Sequence, residues 1–160
     1  KSIEINKLEH QISLINDDLK NMKNKYQSDY FGIIVVNPPY FKNNEKSEKN
    51  FDIHKTIARH EICTNLDDIM NTSLYLLKNN GHFVMVHRTE RFLEIIKKLE
   101  EKNLVPKRIQ FIYSKENSES NLFMIDCIKN GHSGLKLEKP LFIHNNDGTY
   151  RDEIKKIFNI

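Results

Sequence analysis

Four consecutive residues, Asn37-Pro38-Pro39-Tyr40, have the types and order to do chemistry on a planar amine. Each proline fixes its own φ at about −65° and restricts the residue before it, so the turn is stiff. Pro38 and Pro39 carry no N–H, so the turn presents mainly carbonyl oxygens, and Asn37 adds a side-chain carbonyl on a short stem. Such acceptors suit an amine whose lone pair is delocalised into a ring. Gripping both N–H bonds favours a pyramidal nitrogen with its lone pair aimed at a methyl donor. The same oxygens stabilise the positive charge that develops on nitrogen, the reverse in sign of an oxyanion hole. No strong general base is required, because the attached proton becomes acidic once the methyl arrives. In-line positioning supplies most of the remaining acceleration. Tyr40 offers a flat face for a base, worth roughly 1–3 kcal/mol, and Phe41 follows it on the substrate side. A base inside a stack or loop has to be flipped out to reach such a pocket. The competing reading is a proline turn that only ends a strand, with Tyr40 packed on the core.

The elements around the motif favour the chemical reading. Tyr30 to Val36 holds the unalternated run Ile33-Ile34-Val35-Val36, which predicts a central strand buried on both faces. In an open α/β sheet, ligands bind beyond the carboxyl ends of the strands, where this motif would sit. Lys1 to His10 reads as the end of a helix. Ile12 to Ile15 reads as a strand running into Asn16-Asp17-Asp18, with a polar loop to Asp29. Phe41 to Lys55 is polar and without period, a long mobile loop.

Thr64 is a candidate helix cap with Asp67 at the capping-box position. Leu66, Ile69, Met70, Ser73, Leu74 and Leu77 follow at helical spacing, and Asn80-Gly81 stops that helix. His82 to His87 reads as a strand. Thr89 caps a helix with core residues Phe92, Ile95, Ile96 and Leu99, and Pro106 ends the loop after it. Lys107 to Tyr113 and Leu122 to Ile128 form a hairpin. Leu141-Phe142-Ile143 and a helix from Tyr150 to Phe158 close the chain, with Gly148 in the turn between them. The expected fold is α/β: a three-layer sandwich with a mostly parallel sheet and an antiparallel hairpin, one domain over residues 1–160.

Composition adds limits. With 25 basic and 22 acidic residues, the formal net charge of +3 is compatible with nucleic acid without singling it out. Cys63 and Cys127 form no CxxC pair and read as buried free thiols of a reducing compartment. The seven histidines have no metal-ligand spacing, so no metal is expected. No apolar stretch is long enough for a membrane span, and the cytoplasm is the default location.

Several stretches together resemble one family. They are VVNPPYFK at Val35–Lys42, KTIARHE at Lys55–Glu61, VHRTERF at Val86–Phe92, PKRIQFIYSK at Pro106–Lys115 and KPLFIHNNDGTY at Lys139–Tyr150. The family is the bacterial tRNA adenine-N6 methyltransferases that act beside the valine-tRNA anticodon, with a Rossmann-like class I fold. The resemblance implies S-adenosyl-L-methionine as cofactor and tRNA as partner. It implies Asn37 and the Pro38 carbonyl as amine acceptors, Pro39 within the same turn, and Tyr40 stacked on the target base. On the cofactor side it implies Asp18, followed by Leu19, with Asp17 as the near alternative and Asn37 adjacent.

Arg59-His60-Glu61 lines the target pocket or orders the polar loop; a surface ion pair is the other reading. His87 and Arg88 are candidates for RNA phosphate, with a strand-end role open for His87. Lys42, Lys46, Lys49, Lys97, Lys98, Lys102, Lys107 and Arg108 are either a diffuse phosphate-binding face or a solvated surface. Other enzymes share the tetrapeptide, acting on DNA adenine, rRNA or protein glutamine. A non-catalytic RNA-binding fragment is the reading from another class.

The departure from the family is specific. Its domain opens with a strand and a Gly-rich loop for the cofactor, whereas this sequence begins at Lys1 and has no glycine before Gly32. The missing strands would leave a gap in the sheet or force the Ile12 and Tyr30 strands to pair. The chain alone is therefore expected to bind the cofactor poorly and to be inactive. Calorimetric titration with S-adenosyl-L-methionine should show no micromolar binding, and micromolar binding would refute this.

Overall fold

The computed structural model describes residues 1–38 and 66–160. Six strands form one sheet: β1 (Phe31–Val36), β2 (Leu77–Arg88), β3 (Leu104–Tyr113), β4 (Ser120–Lys129), β5 (Lys136–Leu137) and β6 (Leu141–Phe142). Their order is β1-β2-β4-β3, with β5 and β6 both beside β3. β1 runs parallel to β2, with Val36 opposite Met85. β4 is antiparallel to both β2 and β3, and β5 and β6 are parallel to β3. Every described strand except β4 thus points the same way. The carboxyl ends of β1, β2, β3 and β6 share one edge. The expected parallel sheet with an antiparallel hairpin is present, although β4 lies inside the sheet rather than at its border.

Two helices cover one face. α1 (Ser2–Ile5) and α2 (Met22–Lys25) are single turns, and α3 (Leu66–Leu76) and α4 (Phe92–Glu101) are the longer ones. Leu66, Ile69 and Met70 recur on one side of α3, and Ile95 and Leu99 on one side of α4. They meet Phe83 and Met85 of β2, Ile109 of β3, and Phe123 and Ile125 of β4 in one buried cluster. Phe92 packs edge-on against Phe123, ring centroids 5.0 Å apart. Lys98 of α4 bonds Asp67 of α3, and Lys102 bonds Asn71. The Lys129 ammonium donates to the carbonyls of Leu74 and Leu77 and to the Asp29 carboxylate. It thereby satisfies carbonyls that the end of α3 leaves open. A charge-assisted bond of this kind contributes roughly 1.5–3 kcal/mol.

Several sequence expectations are corrected. Among the described residues β1 is an edge strand, not a central one. Ile34 and Val36 pack against the core, whereas Ile33 and Val35 on its other face are 62% and 72% exposed. The apolar run is real, but nothing among the described residues covers its second face. Ile12 to Ile15 is not a strand; Leu14 is 83% exposed and the segment joins no ladder. A four-residue run without a partner edge cannot satisfy its backbone as a strand. The N-terminal helix is reduced to the single turn α1. Thr89 is not a helix cap: it opens a short 3-10 turn, Thr89–Arg91, and its hydroxyl lies 3.3 Å from that of Ser120.

Pro106 is inside β3 rather than before it. The β3–β4 register slips between Pro106 and Arg108, the kind of irregularity that tolerates a residue without an N–H. α3 ends at Leu76, ahead of Asn80-Gly81, which lies in an irregular start to β2 where the register jumps from Phe31–Leu77 to Ile33–His82. The expected closing helix is shorter, α5 (Asp152–Phe158), and Gly148 takes a φ of 90° in the turn before it. Cys127 is a buried free thiol with its pKa pushed up by burial; Cys63 and Thr64 lie outside the described residues.

Two measurements check this packing. A Cβ on Gly81 would lie 2.8 Å from the Lys78 carbonyl and 2.9 Å from the buried Leu77 side chain, whereas one on Gly32 meets nothing within 4 Å. In urea unfolding, Gly81→Ala should lose about 1–3 kcal/mol, and Gly32→Ala should stay within about 0.5 kcal/mol. Equal effects would contradict the close approach. The second concerns His87, which is 1% exposed. Burial first, then the nearby Arg91 charge, lowers its pKa below 6.5. The unfolded chain gains a proton there as pH drops below 6.5 and the folded chain resists it. Stability from this residue is thus complete above 6.5 and declines below it. The urea midpoint should fall on going from about pH 7.5 to about 5.5, less so in His87→Gln. Parallel profiles for the two proteins would reject this source.

Candidate active site

Asn37 and Pro38 follow β1 directly, on the edge where the parallel strands end. The β1–β2 ladder ends at the Val36–Met85 pair, so Asn37 and Pro38 leave the sheet on the edge that β2 reaches with His87 and Arg88. Asn37 is exposed and Pro38 is buried. The first part of the motif therefore joins an exposed residue to a buried one at the strand end. Pro39, Tyr40 and Phe41 lie outside the described residues, as do Arg59, His60 and Glu61.

Asp17, Asp18 and Leu19 come to the same side by a different route. α3 leads straight into β2, so its first turn lies toward the carboxyl edge of the sheet. A 3-10 turn, Leu19–Asn21, packs on that first turn, with Lys20 3.1 Å from Asp68 and Leu19 against the core. The two aspartates differ in what they have left to offer. Asp17 accepts from the Asp18 amide and the Asn21 side chain and pairs with Lys25 at 2.7 Å. The Lys25 bond first, then Asn21 and the Asp18 amide, push its pKa down to about 2. Asp18 caps the 3-10 turn through one bond from the Lys20 amide, 2.9 Å, and is otherwise exposed. Of the two, Asp18 has the carboxylate able to accept from a ligand.

His87 and Arg88 end β2. The Arg88 amide donates to His87 Nδ1 at 2.8 Å, so the proton of the neutral ring is on Nε2. The ring is closed to solvent while Arg88 is exposed. Arg91 holds Glu94 through two bonds, at 2.6 and 3.0 Å, which raises its own pKa. The lysine face divides. Lys98 and Lys102 are paired to Asp67, and Lys107 bonds the His132 and Ser133 carbonyls. Arg108 bonds Asp126, which His82 also contacts. Lys107 and Arg108 stand at the start of β3, on the edge opposite Asn37. Lys42, Lys46 and Lys49 are outside the described residues. The sequence reading missed an aromatic group of the tail, Tyr113, Phe142, His144 and Tyr150, which collects on the site's own edge. Its signal in the sequence was a pair of rings, His144 and Tyr150, flanking the polar turn Asn145 to Thr149.

Three comparisons bear on this arrangement. No family model matches the chain. A tRNA1(Val) (adenine(37)-N6)-methyltransferase of Aliivibrio salmonicida (strain LFI1238) is 25% identical over 149 residues, which span 91% of this chain and 59% of that protein. The chain thus covers about three fifths of the relative's length. A predicted O-methyltransferase from Agrobacterium tumefaciens superposes with a TM-score of 0.73 at 15% identity, covering 99% of this chain and 69% of that one. A candidate DNA modification methylase from Thermus thermophilus gives a TM-score of 0.50 at 14% identity, with 77% and 55% covered. Sheet order, the single reversed strand and these superpositions together give the chain the Rossmann-like α/β fold of methyltransferases.

Proposed function

We propose that this chain carries the amine-holding part of an S-adenosyl-L-methionine-dependent methyltransferase acting on N6 of an adenine in tRNA. The observation that carries the reading is Asn37-Pro38 directly beyond the carboxyl end of parallel β1. The tRNA relative and the downstream Arg59-His60-Glu61 support the choice of substrate.

The residues present fit part of the cofactor. Asp18 is an exposed, acceptor-only carboxylate next to the half-buried Leu19, a pairing that suits a purine with an exocyclic amine. No glycine-rich turn precedes Gly32 in this sequence to supply the rest of a cradle. The cofactor's contribution is an activated methyl group. The chain's own work is to hold the nucleophile. Asn37 Oδ1 and the Pro38 carbonyl accept the two N–H bonds of the target amine. That grip fixes the nitrogen's lone pair and offsets the charge growing on it. Tyr40 and Phe41 stack the base, and Arg88 offers a cation to the RNA backbone.

The complete gene product containing these residues should methylate adenine in tRNA from cells that lack it, in preference to DNA, rRNA or a glutamine-bearing protein. Asn37→Ala should lower turnover by roughly 100- to 1,000-fold and leave cofactor affinity unchanged. Wild-type turnover in that variant, or label appearing in DNA or protein rather than tRNA, overturns the reading.

A further inference from the structure

One cluster on the site's edge has no part in holding the amine. Phe142 of β6 lies opposite Tyr113 of β3, and beyond them the chain rises past the sheet. The amides of Ile143 and His144 donate to the carbonyls of Tyr113 and Ser114. A tight hairpin then returns, with the Asn145 amide on the Thr149 carbonyl and the Arg151 amide on the Ile143 carbonyl. The Asp147 carboxylate accepts from both the amide and the hydroxyl of Thr149. His144 Nδ1 is 3.3 Å from the Ser114 carbonyl, so that nitrogen carries the ring proton.

On this braced hairpin the His144 and Tyr150 rings stack, centroids 5.0 Å apart and planes 26° from parallel. Tyr150 remains 45% exposed. Below it the Arg151 guanidinium lies 5.0 Å over the Phe142 ring and is bonded to Glu116. Its Nε is buried with no hydrogen-bond partner among the described residues. The Lys115 ammonium reaches the Asn146 carbonyl at 3.1 Å and has further N–H donors.

An exposed ring held by backbone bonds loses little freedom when a second flat group covers it, so stacking there carries a small entropic cost. Every nucleobase has such a face. The platform also lies at a useful separation. β6 is four strand spacings from β1, about 19 Å along the edge, so a few nucleotides of one strand bridge it to Asn37.

We propose that the His144–Tyr150 stack is a base-stacking platform for a nucleotide flanking the target adenine in an RNA loop, with Lys115 meeting its phosphate. This rests on the reading of the chain as an RNA adenine methyltransferase. The test measures binding of a fluorescent RNA stem-loop with an unpaired adenine to the complete gene product and to its variants. Tyr150→Leu, which keeps apolar bulk and removes the π-face, should weaken binding roughly 5- to 100-fold. Tyr150→Phe should bind like wild type, which guards against a mere loss of folding.

Asn37→Ala should lose methyl transfer and retain binding. If Tyr150→Leu binds as wild type does while Asn37→Ala abolishes transfer, the platform is wrong and the amine site stands. If binding depends on Tyr150 but no RNA is methylated, the platform stands and the enzymatic reading fails. A wild-type protein that binds no RNA, or one whose Tyr150 serves only a peptide partner, overturns the platform.

Discussion

The parallel pairing of β1 with β2 is the constraint on which the rest of the molecule depends. Parallel neighbours cannot be joined by a tight turn, so the chain must leave β1 at one edge and re-enter β2 at the other. α3 makes that return, and α4 repeats it between β2 and β3. Each crossover delivers a strand end to the same border. That is why Asn37, His87, Arg88 and the tail beyond β6 share an edge although 123 positions separate Asn37 from Ile160 at the chain end. β4 fills the space between β2 and β3 by running the other way, and it brings Ser120 up to meet Thr89 at that border.

The charge pattern follows from the same geometry. Helices on a sheet need fastening where their backbone groups run out, and much of the described basic surface is used for that. Lys129 closes the end of α3, Lys98 and Lys102 tie α4 to α3, and Lys25 locks the Asp17 turn. A net charge of +3 is therefore a poor guide to a phosphate-binding face, since several of the cations have partners already. What the site edge offers to a nucleic acid is flat rings and a few exposed donors. Such a surface favours stacking over a broad electrostatic grip.

Most of the fold was legible in the sequence because periodicity reports burial on one face. The spacing of Leu66, Ile69 and Met70, and of Ile95 and Leu99, predicts the helix faces that the core uses. Periodicity cannot report whether a second face is covered. Ile33 and Val35 read like core residues and stand in solvent, and Ile12 to Ile15 reads like a strand without a neighbour to pair with. The site divides on similar lines. The position of Asn37 and Pro38 at a strand end was legible because an apolar β-branched run stops there at a proline. The difference between Asp17 and Asp18 was not, because it depends on which carboxylate Lys25 and Asn21 occupy. The tail platform was hidden for a further reason: it exists only once β6 is paired beside β3, a contact between residues about thirty apart.

The burial of His87 completes the logic of the proposed chemistry. An amine that accepts a methyl group becomes positively charged, so a cation beside it would raise the barrier. His87 lies two residues past the last β1–β2 pair, Val36–Met85, and is the one residue on that strand end able to change charge near neutral pH. Burial lowers its pKa, and the Arg88 amide occupies Nδ1, so the ring stays neutral. Arg91, whose charge acts on that ring, donates two bonds to the Glu94 carboxylate. Arg88 is exposed, with its charge on the solvent side where a phosphate would meet it. On the proposed reading, the edge puts neutral acceptors where positive charge would grow and a cation where a phosphate would arrive.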